Sequence, residues 1–326
     1  MRALRYDRFG PPATLHVATV PTPEPGAGEL SVRVTAAGLN PLDGKIRAGT
    51  LRWLPVLERP PRGTGTDFAG IVEQVGPGVR GFASGDRVFG SLSPLQQQGS
   101  FAEVVVVRPD RIAAVPPRVA LESAAALPVA GGTAVQALTD DVRLRAGQRL
   151  LVTGAAGGVG ATAVQYARHL GARVTGVCSA GNADYVRMLG ADAVIDYATT
   201  DWTRGEDGGP GGGRYDVVLD AACASDFVRA RRVLAPDGAY LTTLGSHAAV
   251  ADLLRGRIAS LGTKQRCIGV TLKGGAAAWE RLIGLAASGA IAPTITRSIR
   301  LEEVAAAQAA MATGHSRGKT IVVPSR

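Results

Sequence analysis

The stretch LLVTGAAGGVGATAVQYARHLGARVTGVCS, residues 150–179, carries residue types whose spacing suits the binding of an anion. Gly154, Gly157 and Gly160 recur at i, i+3 and i+6, with Gly158 added, between an apolar run and a helical pattern. A turn without Cβ atoms lets main chain approach a bound group closely. A helix starting near Val159 aims its free N–H groups and the positive end of its dipole at the same spot. Val159, Ala163, Ala167 and Leu170 give that helix one apolar face for a sheet. A diphosphate meets these conditions. The spacing departs from strict G-x-G-x-x-G, and the reading rests on context: strand, glycine turn, helix, second strand.

The second apolar run ends at Ser179, 19 residues after Gly160. Sites that take the unphosphorylated dinucleotide place an Asp or Glu there, about 20 residues on, to hold the ribose 2′-hydroxyl. No carboxylate stands beside Ser179. A carboxylate repels a 2′-phosphate, whereas a hydroxyl donates to it, and Asn182 offers a second donor. The expected cofactor is NADPH.

The elements that must position this turn alternate strand and helix. Strands are predicted at Leu150–Thr153, Arg173–Cys178, Ala193–Tyr197, Tyr215–Ala221, Ala239–Leu244 and Cys267–Leu272, with helical segments between most of them. Such alternation implies a parallel sheet covered on both faces. The stretch GEDGGPGGGR, 205–214, is too glycine-rich to pack and reads as a mobile surface loop. Before residue 122 the texture is β-rich: ELSVRVTAAG, FAGIVEQVG, GDRVFG and FAEVVVV are short strands separated by Gly, Pro and Asp turn signals. ESAAALPVAGGTAVQAL is helical with a break at Pro128. The tail reads as a helix stopped near Gly314, then a strand.

Length and composition agree. The 326 residues suggest about two domains, and 46% apolar with 19% charged residues describes a globular chain. No apolar run approaches the roughly 18 residues that span a bilayer, and MRALRYDRFGPP lacks the apolar stretch of a signal peptide. Cys178, Cys223 and Cys267 are far apart and form no CxxC pair, which suits a reducing cytoplasm. Net charge is +9, yet the arginines are scattered, with four lysines at Lys45, Lys264, Lys273 and Lys319. No basic block with interleaved aromatics appears, so neither a nucleic acid nor a membrane is an expected partner.

With these residues in hand, the chain resembles the medium-chain dehydrogenase/reductase superfamily, in its zinc-free quinone oxidoreductase branch related to zeta-crystallin. The resemblance covers nearly the whole chain. It rests on AAGLNPLDGKIRAG (36–49), GTDFAGIVEQVGPGV (65–79), GDRVFG (85–90), GSFAEVVVV (99–107), AAALPVAGGTAVQAL (124–138), VTGAAGGVG (152–160), LGADAVIDY (189–197) and GKTIVV (318–323) taken jointly. It implies an α/β fold in which a Rossmann doubly wound parallel sheet is inserted into a GroES-like β-rich domain. Residues 1–122 would form the catalytic domain, 123–270 the NADPH-binding domain, and 271–326 would complete the first. The nicotinamide would lie in the cleft between the domains. By the same resemblance, diphosphate meets Gly157, Gly158 and Val159, Ser179 faces the 2′-phosphate, and Tyr197 covers the adenine. Asn40 and Thr133 lie near the nicotinamide, with Leu244, Gly245 and Val270 along the cofactor, and Lys319 reaches toward it. Members are often homodimers that extend a sheet, and RCIGVTLKG is the candidate edge.

Zinc-dependent relatives carry a cysteine where this chain has Asn40, and Gly-His-Glu where it has Gly65-Thr66-Asp67. The region SLSPLQQQGSFAE has none of the cysteines of their structural zinc loop, and His16, His169, His247 and His315 are scattered. Without a Lewis acid, the natural reaction is hydride delivery from NADPH to an electron-poor carbon, as in a quinone or an α,β-unsaturated carbonyl. The anion that results needs donors and then a proton. Asn40 can donate from its amide. Asp43 and Arg47 are expected to hold their loop by internal hydrogen bonds. Many relatives place a tyrosine where this chain has Lys45; a lysine there stabilises an oxyanion, grips an acidic substrate or points to water. Trp53 and Leu54 line a pocket or anchor a loop. The alternatives to a quinone or enone reductase are a trans-acting enoyl-thioester reductase of secondary metabolism and a weakly catalytic NADPH-binding structural or RNA-binding protein.

Overall fold

The computed structural model describes residues 1–50, 52, 59–94, 96–204, 213–243, 247–314 and 316–325, with backbone alone at 247–249. The candidates Trp53, Leu54, Leu244 and Gly245, and positions 205–212 of the glycine-rich stretch, lie outside the described residues. The chain divides into two units: Met1–Gly132 with Lys273–Gly289 and Pro293–Arg326, and Thr133–Leu272 with Ala290–Ala292.

In the second unit the apolar runs Arg149–Thr153, Arg173–Cys178, Ala193–Asp196, Tyr215–Asp220, Leu234–Thr243 and Arg266–Val270 form one sheet. Every pairing is parallel, and in chain order the strands lie 3-2-1-4-5-6. That is the order of a doubly wound dinucleotide-binding sheet, whose ligand crevice opens at the carboxyl ends where the order reverses. The reversal falls between Arg149–Thr153 and Tyr215–Asp220, and Arg266–Val270 is an edge. Burial on both faces explains why these runs are near-continuously apolar: Leu150, Leu151, Val152, Val218, Leu219 and Leu241 are fully buried. The fifth strand starts five residues earlier than the predicted Ala239. Leu234 pairs with Tyr215 and Ala239 with Val217, so the ladder irregularity absorbs a Pro-Asp-Gly segment that reads as a turn.

The first unit is built on a seven-stranded sheet. Its strands follow the order Ile295–Ile299, Lys319–Val322, Leu30–Gly38, Asp67–Val75, Arg87–Ser91, Ile112–Ala114, with Val104–Val107 also paired to Leu30–Gly38. A smaller sheet joins Arg2–Tyr6 to His16–Thr19 and Arg62–Gly63. Leu30, Val32, Val34, Phe68, Val72, Val88, Phe101 and Ile112 fill the core. The alternation in ELSVRVTAAG and the Pro128 break are both found: Leu121–Ala125 ends before Pro128, which opens the helix Pro128–Gln136. The tail helix Val304–Met311 is followed by Gly314 at φ 80° and the strand Lys319–Val322.

Two registers converge on Gly38, which lies opposite Asp67 on one side and Ile321 on the other. Three strands distant in sequence therefore deliver Asn40, Asp67 and Lys319 to one neighbourhood. Gly38 is required there, because a Cβ would sit 2.4 Å from the Ala125 carbonyl and 3.1 Å from Asp67 Cβ.

Candidate functional site

In the second unit the helix Gly158–His169 starts directly after the glycine turn, and no side chain caps it. The amides of its first turn, Gly158, Val159 and Gly160, have no acceptor within the helix. The turn itself is closed by the Gly157 N–H donating to the Gly154 carbonyl at 2.9 Å, with Gly154 at φ 58°. A Cβ on Gly160 would lie 2.1 Å from the Gly154 carbonyl oxygen, so only glycine lets helix and turn pack this closely. Uncapped amides at the carboxyl end of the first strand, beside the order reversal, fit a diphosphate. The opposite side of the reversal is fixed by Asp220, which is fully buried. It accepts from Thr153 Oγ1, from Tyr240 Oη at 2.8 Å, and from the amides of Ala224 and Ser225 at 3.1 and 3.0 Å. Burial and the Asp220 carboxylate together push the Tyr240 hydroxyl well above the usual phenol range.

Ser179 directly follows the second strand, half-buried, and Asn182 Nδ2 donates to Ser179 Oγ at 3.1 Å. The two candidates are thus brought together. The nearest acid along the chain, Asp184, is exposed and paired with Arg187 at 2.8 Å. Tyr197 is 52% exposed, and its amide donates to the Cys178 carbonyl at 3.2 Å, which sets its main chain beside the end of the same strand. Val270 is buried at the carboxyl end of the edge strand, opposite Thr243. Thr133 is buried in the helix Pro128–Gln136.

In the first unit Asn40 precedes the helix Pro41–Arg47 and is 2% exposed. Asp43, three residues on, turns back and accepts the Asn40 backbone N–H at 2.8 Å, the usual device for opening a helix. Asn40 Nδ2 donates to Asp67 Oδ2 at 2.9 Å and to the Gly38 carbonyl at 3.2 Å. Asn40 Oδ1 accepts from Lys319 Nζ at 2.6 Å, and Lys319 also donates to the Leu39 carbonyl at 2.9 Å. An ammonium can only donate and a carboxylate can only accept, so the two partners fix the amide orientation. Asp67 also accepts the Val129 N–H, at 3.1 Å to Oδ2. Thr66 Oγ1 donates to Asp43 Oδ1 at 3.3 Å.

The sequence reading placed Asn40 near the nicotinamide and had Lys319 reach toward the cofactor. In the structure both amide hydrogens and the ammonium of this pair face protein acceptors, and Lys319 is 6% exposed. Lys45 lies on the same helix, half-buried; among the described residues no hydrogen bond or ion pair joins it to the network. Arg47 holds the loop as expected, donating from Nε to Gln308 Oε1 at 2.7 Å and from Nη1 to the Gly10 carbonyl. Burial pushes the Asp43 carboxyl up to about 7 and that of Asp67 up to about 6. Burial also lowers Lys319, against the pull of Asp67 and Asp43. Asp43 holds its loop as expected, through the Asn40 N–H, whereas sequence reasoning gave neither acid a place among the site residues and Asp67 no role at all. The available signals were the Asn-x-x-Asp spacing at 40–43 and an acid, Asp67, opening the buried run DFAGIV.

The positions where zinc-dependent relatives hold their metal present an amide, a hydroxyl and one carboxylate, with a buried ammonium against the amide. That donor set does not fit zinc, which needs thiolate, imidazole or carboxylate ligands in tetrahedral array. Among the described residues no cluster of three His, Cys, Asp or Glu side chains is arranged to hold a metal ion.

Family models match at two places: "Alcohol dehydrogenase GroES-like domain" over residues 26–117 and "Zinc-binding dehydrogenase" over residues 189–322. The chloroplast envelope quinone oxidoreductase homolog of Arabidopsis thaliana is 36% identical over 331 aligned positions, covering 99% of this chain and 98% of that protein. The quinone oxidoreductase from Coxiella burnetii superposes with a TM-score of 0.88 at 28% identity, covering 99% of both chains. The Escherichia coli quinone oxidoreductase, solved in complex with NADPH, gives 0.86 at 26% identity over 99% of this chain and 100% of that one. The α/β architecture, a parallel Rossmann sheet inserted in a GroES-like domain, is therefore as the sequence implied, and the chain belongs to the quinone oxidoreductase branch of the medium-chain dehydrogenase/reductase superfamily, whose members bind a nicotinamide cofactor.

Proposed function

We propose that the chain is an NADPH-dependent oxidoreductase that works without zinc and transfers hydride to a quinone or an α,β-unsaturated carbonyl. The observation that carries the reading is the uncapped first turn of Gly158–His169 at the order reversal of a 3-2-1-4-5-6 sheet. When bound, the dihydronicotinamide supplies the hydride; the protein supplies grip, alignment and charge. The free amides of Gly158 and Val159 hold the diphosphate, which meets Gly157 beside them, with Gly160 allowing the close approach. Ser179 and Asn182, already hydrogen-bonded to each other, donate to the 2′-phosphate, and the exposed ring of Tyr197 covers the adenine. Thr133 and Val270 line the cofactor. Lys45 offers a cation to the anion formed on the acceptor. Asn40 and Lys319 hold the buried network that fixes the start of the helix Pro41–Arg47.

The poor fit of the donor set supports the zinc-free reading. Three free cysteines far apart in sequence support a cytoplasmic setting, and no described helix is long and apolar enough to cross a membrane. The position of Arg266–Val270 at the edge of its sheet supports a homodimer formed by sheet extension, which light scattering would test. The decisive experiment follows loss of NADPH absorbance with a panel of quinones, enones and enoyl thioesters. Turnover with quinones or enones is expected. Thioesters turned over in preference would move the assignment to a carrier-bound substrate. Binding of NADPH with no turnover of any acceptor would leave a cofactor-binding protein and overturn the proposal.

A further inference from the structure

We propose that Asp43 stores the proton taken up by the reduced acceptor, and that the Thr66 hydroxyl passes it to a small cavity beside them. The inference rests on the proposed hydride transfer. The cavity is lined by Asp43, Arg62, Thr64, Thr66, Ser93 and Gln98, among others, and leaves room for about 10 Å³, close to one water molecule. Asp43 and Thr66 are each 2% exposed, and both line the cavity. The two oxygens of Asp43 differ: Oδ2 is anchored by the Asn40 N–H at 2.8 Å, while Oδ1 faces Thr66 Oγ1 at 3.3 Å. Asp67, the other acid of the network, spends its oxygens on Asn40 and the Val129 amide and does not line the cavity.

The charged and titratable groups around Asp43 come from every neighbouring element. Asp67 raises its proton affinity and Lys319 lowers it. On the other side stand Arg62 on the short strand, Tyr6 opposite it in register, and Arg47 one turn along the same helix. Arg62 is itself pinned, donating from Nη2 to the carbonyls of Pro94 (2.9 Å) and Gln96. Burial places the Asp43 proton in the neutral range, near 7.

The step balances without an electron moving in the protein. Hydride brings both electrons to the acceptor and leaves it an anion. The Thr66 O–H bond breaks and its proton passes through the cavity water to that anion. At the same time the Asp43 O–H bond breaks and its proton re-forms the Thr66 hydroxyl, leaving a carboxylate that solvent reprotonates. A hydroxyl rotates freely between the two roles.

The test measures turnover with NADPH and a reactive quinone from about pH 5 to about pH 9. Wild type should lose kcat as pH rises through about 7. Asp43→Asn and Thr66→Val should each lower kcat at acid pH by about a hundredfold and flatten the profile, while Thr66→Ser restores both. Because Asp43 also closes its helix, Asp43→Asn can lose fold; Thr66→Val and infrared spectra of the wild-type protein alone remain informative. Those spectra should show a protonated carboxyl band that disappears as pH rises through the same range and shifts in Thr66→Val. Turnover whose pH limb survives Thr66→Val, or a resting protein without the titrating band, overturns the relay alone. A wild type that turns over no acceptor overturns the functional reading and the proton transfer with it.

Discussion

The two units solve the same problem, handling charge out of water, by opposite means. The glycine turn of the second unit offers main-chain amides, with Gly154, Gly157 and Gly160 removing side chains from the approach. The first unit gathers side chains: an amide, two carboxylates and an ammonium, all buried. Amides carry partial charges that do not titrate, so the first arrangement is indifferent to pH. The second shares protons among groups whose affinities burial has moved toward neutrality. A site of side chains can store a proton; a site of peptide groups can only hold an anion.

Removing the shared cation should separate the two regions most sharply. Lys319→Met leaves two buried acids without their counter-ion and should cost about 3 kcal/mol in urea denaturation. Adding Asp67→Asn should recover part of that loss, since the residues act as one network. Full additivity of the two changes would mean the groups are not coupled. Next in size is Gly160→Ala, which forces a methyl against the Gly154 carbonyl. Coenzyme affinity by calorimetry should fall by about tenfold or more, equally at acid and neutral pH; a pH-dependent loss would contradict the contrast between the units. On the proposed reading, Ser179→Asp sets a carboxylate against the 2′-phosphate. The ratio of NADPH to NADH efficiency should drop by about tenfold or more. An unchanged ratio would make Ser179 a bystander.

The smallest effect concerns stability and pH. Asp43 and Asp67 bind protons more tightly folded than unfolded, because burial raises both above 3.8. Their contribution is fully present below about pH 4 and is lost as pH rises through 6 and 7. Melting temperature should therefore decline by a few degrees across that window relative to Asp43→Asn. A parallel course for the two proteins would show that Asp43 does not titrate there.

The same contrast explains what could be read from the sequence. The glycine turn, its flanking strands and Ser179 lie within 31 consecutive residues, 149–179, and local pattern exposes them. Strand Arg173–Cys178 was legible to the residue, because apolar runs in a sheet covered on both faces end at polar turns. The charged network was legible only in part: Asp43 was expected to hold its loop, and Asn40 and Lys319 were singled out one by one. Their meeting with each other and with Asp67 depends on antiparallel registers, and neither Asn40's inward amide nor Lys319's burial leaves a local trace. The fifth strand failed for a related reason: Pro-Asp-Gly reads as a stop, yet the ladder resumes beyond it.

Lys319 meets Asn40 across 279 positions of chain. On the ribosome, Asn40, Asp43 and Asp67 emerge early and the whole inserted unit is made before their counter-ion exists. A nascent chain that collapses around those acids must keep them protonated or hydrated until the closing strand arrives. The inserted unit, whose six strands need nothing from that strand, is free to mature first. Vectorial synthesis thus sets an order of assembly in which the last step is electrostatic closure.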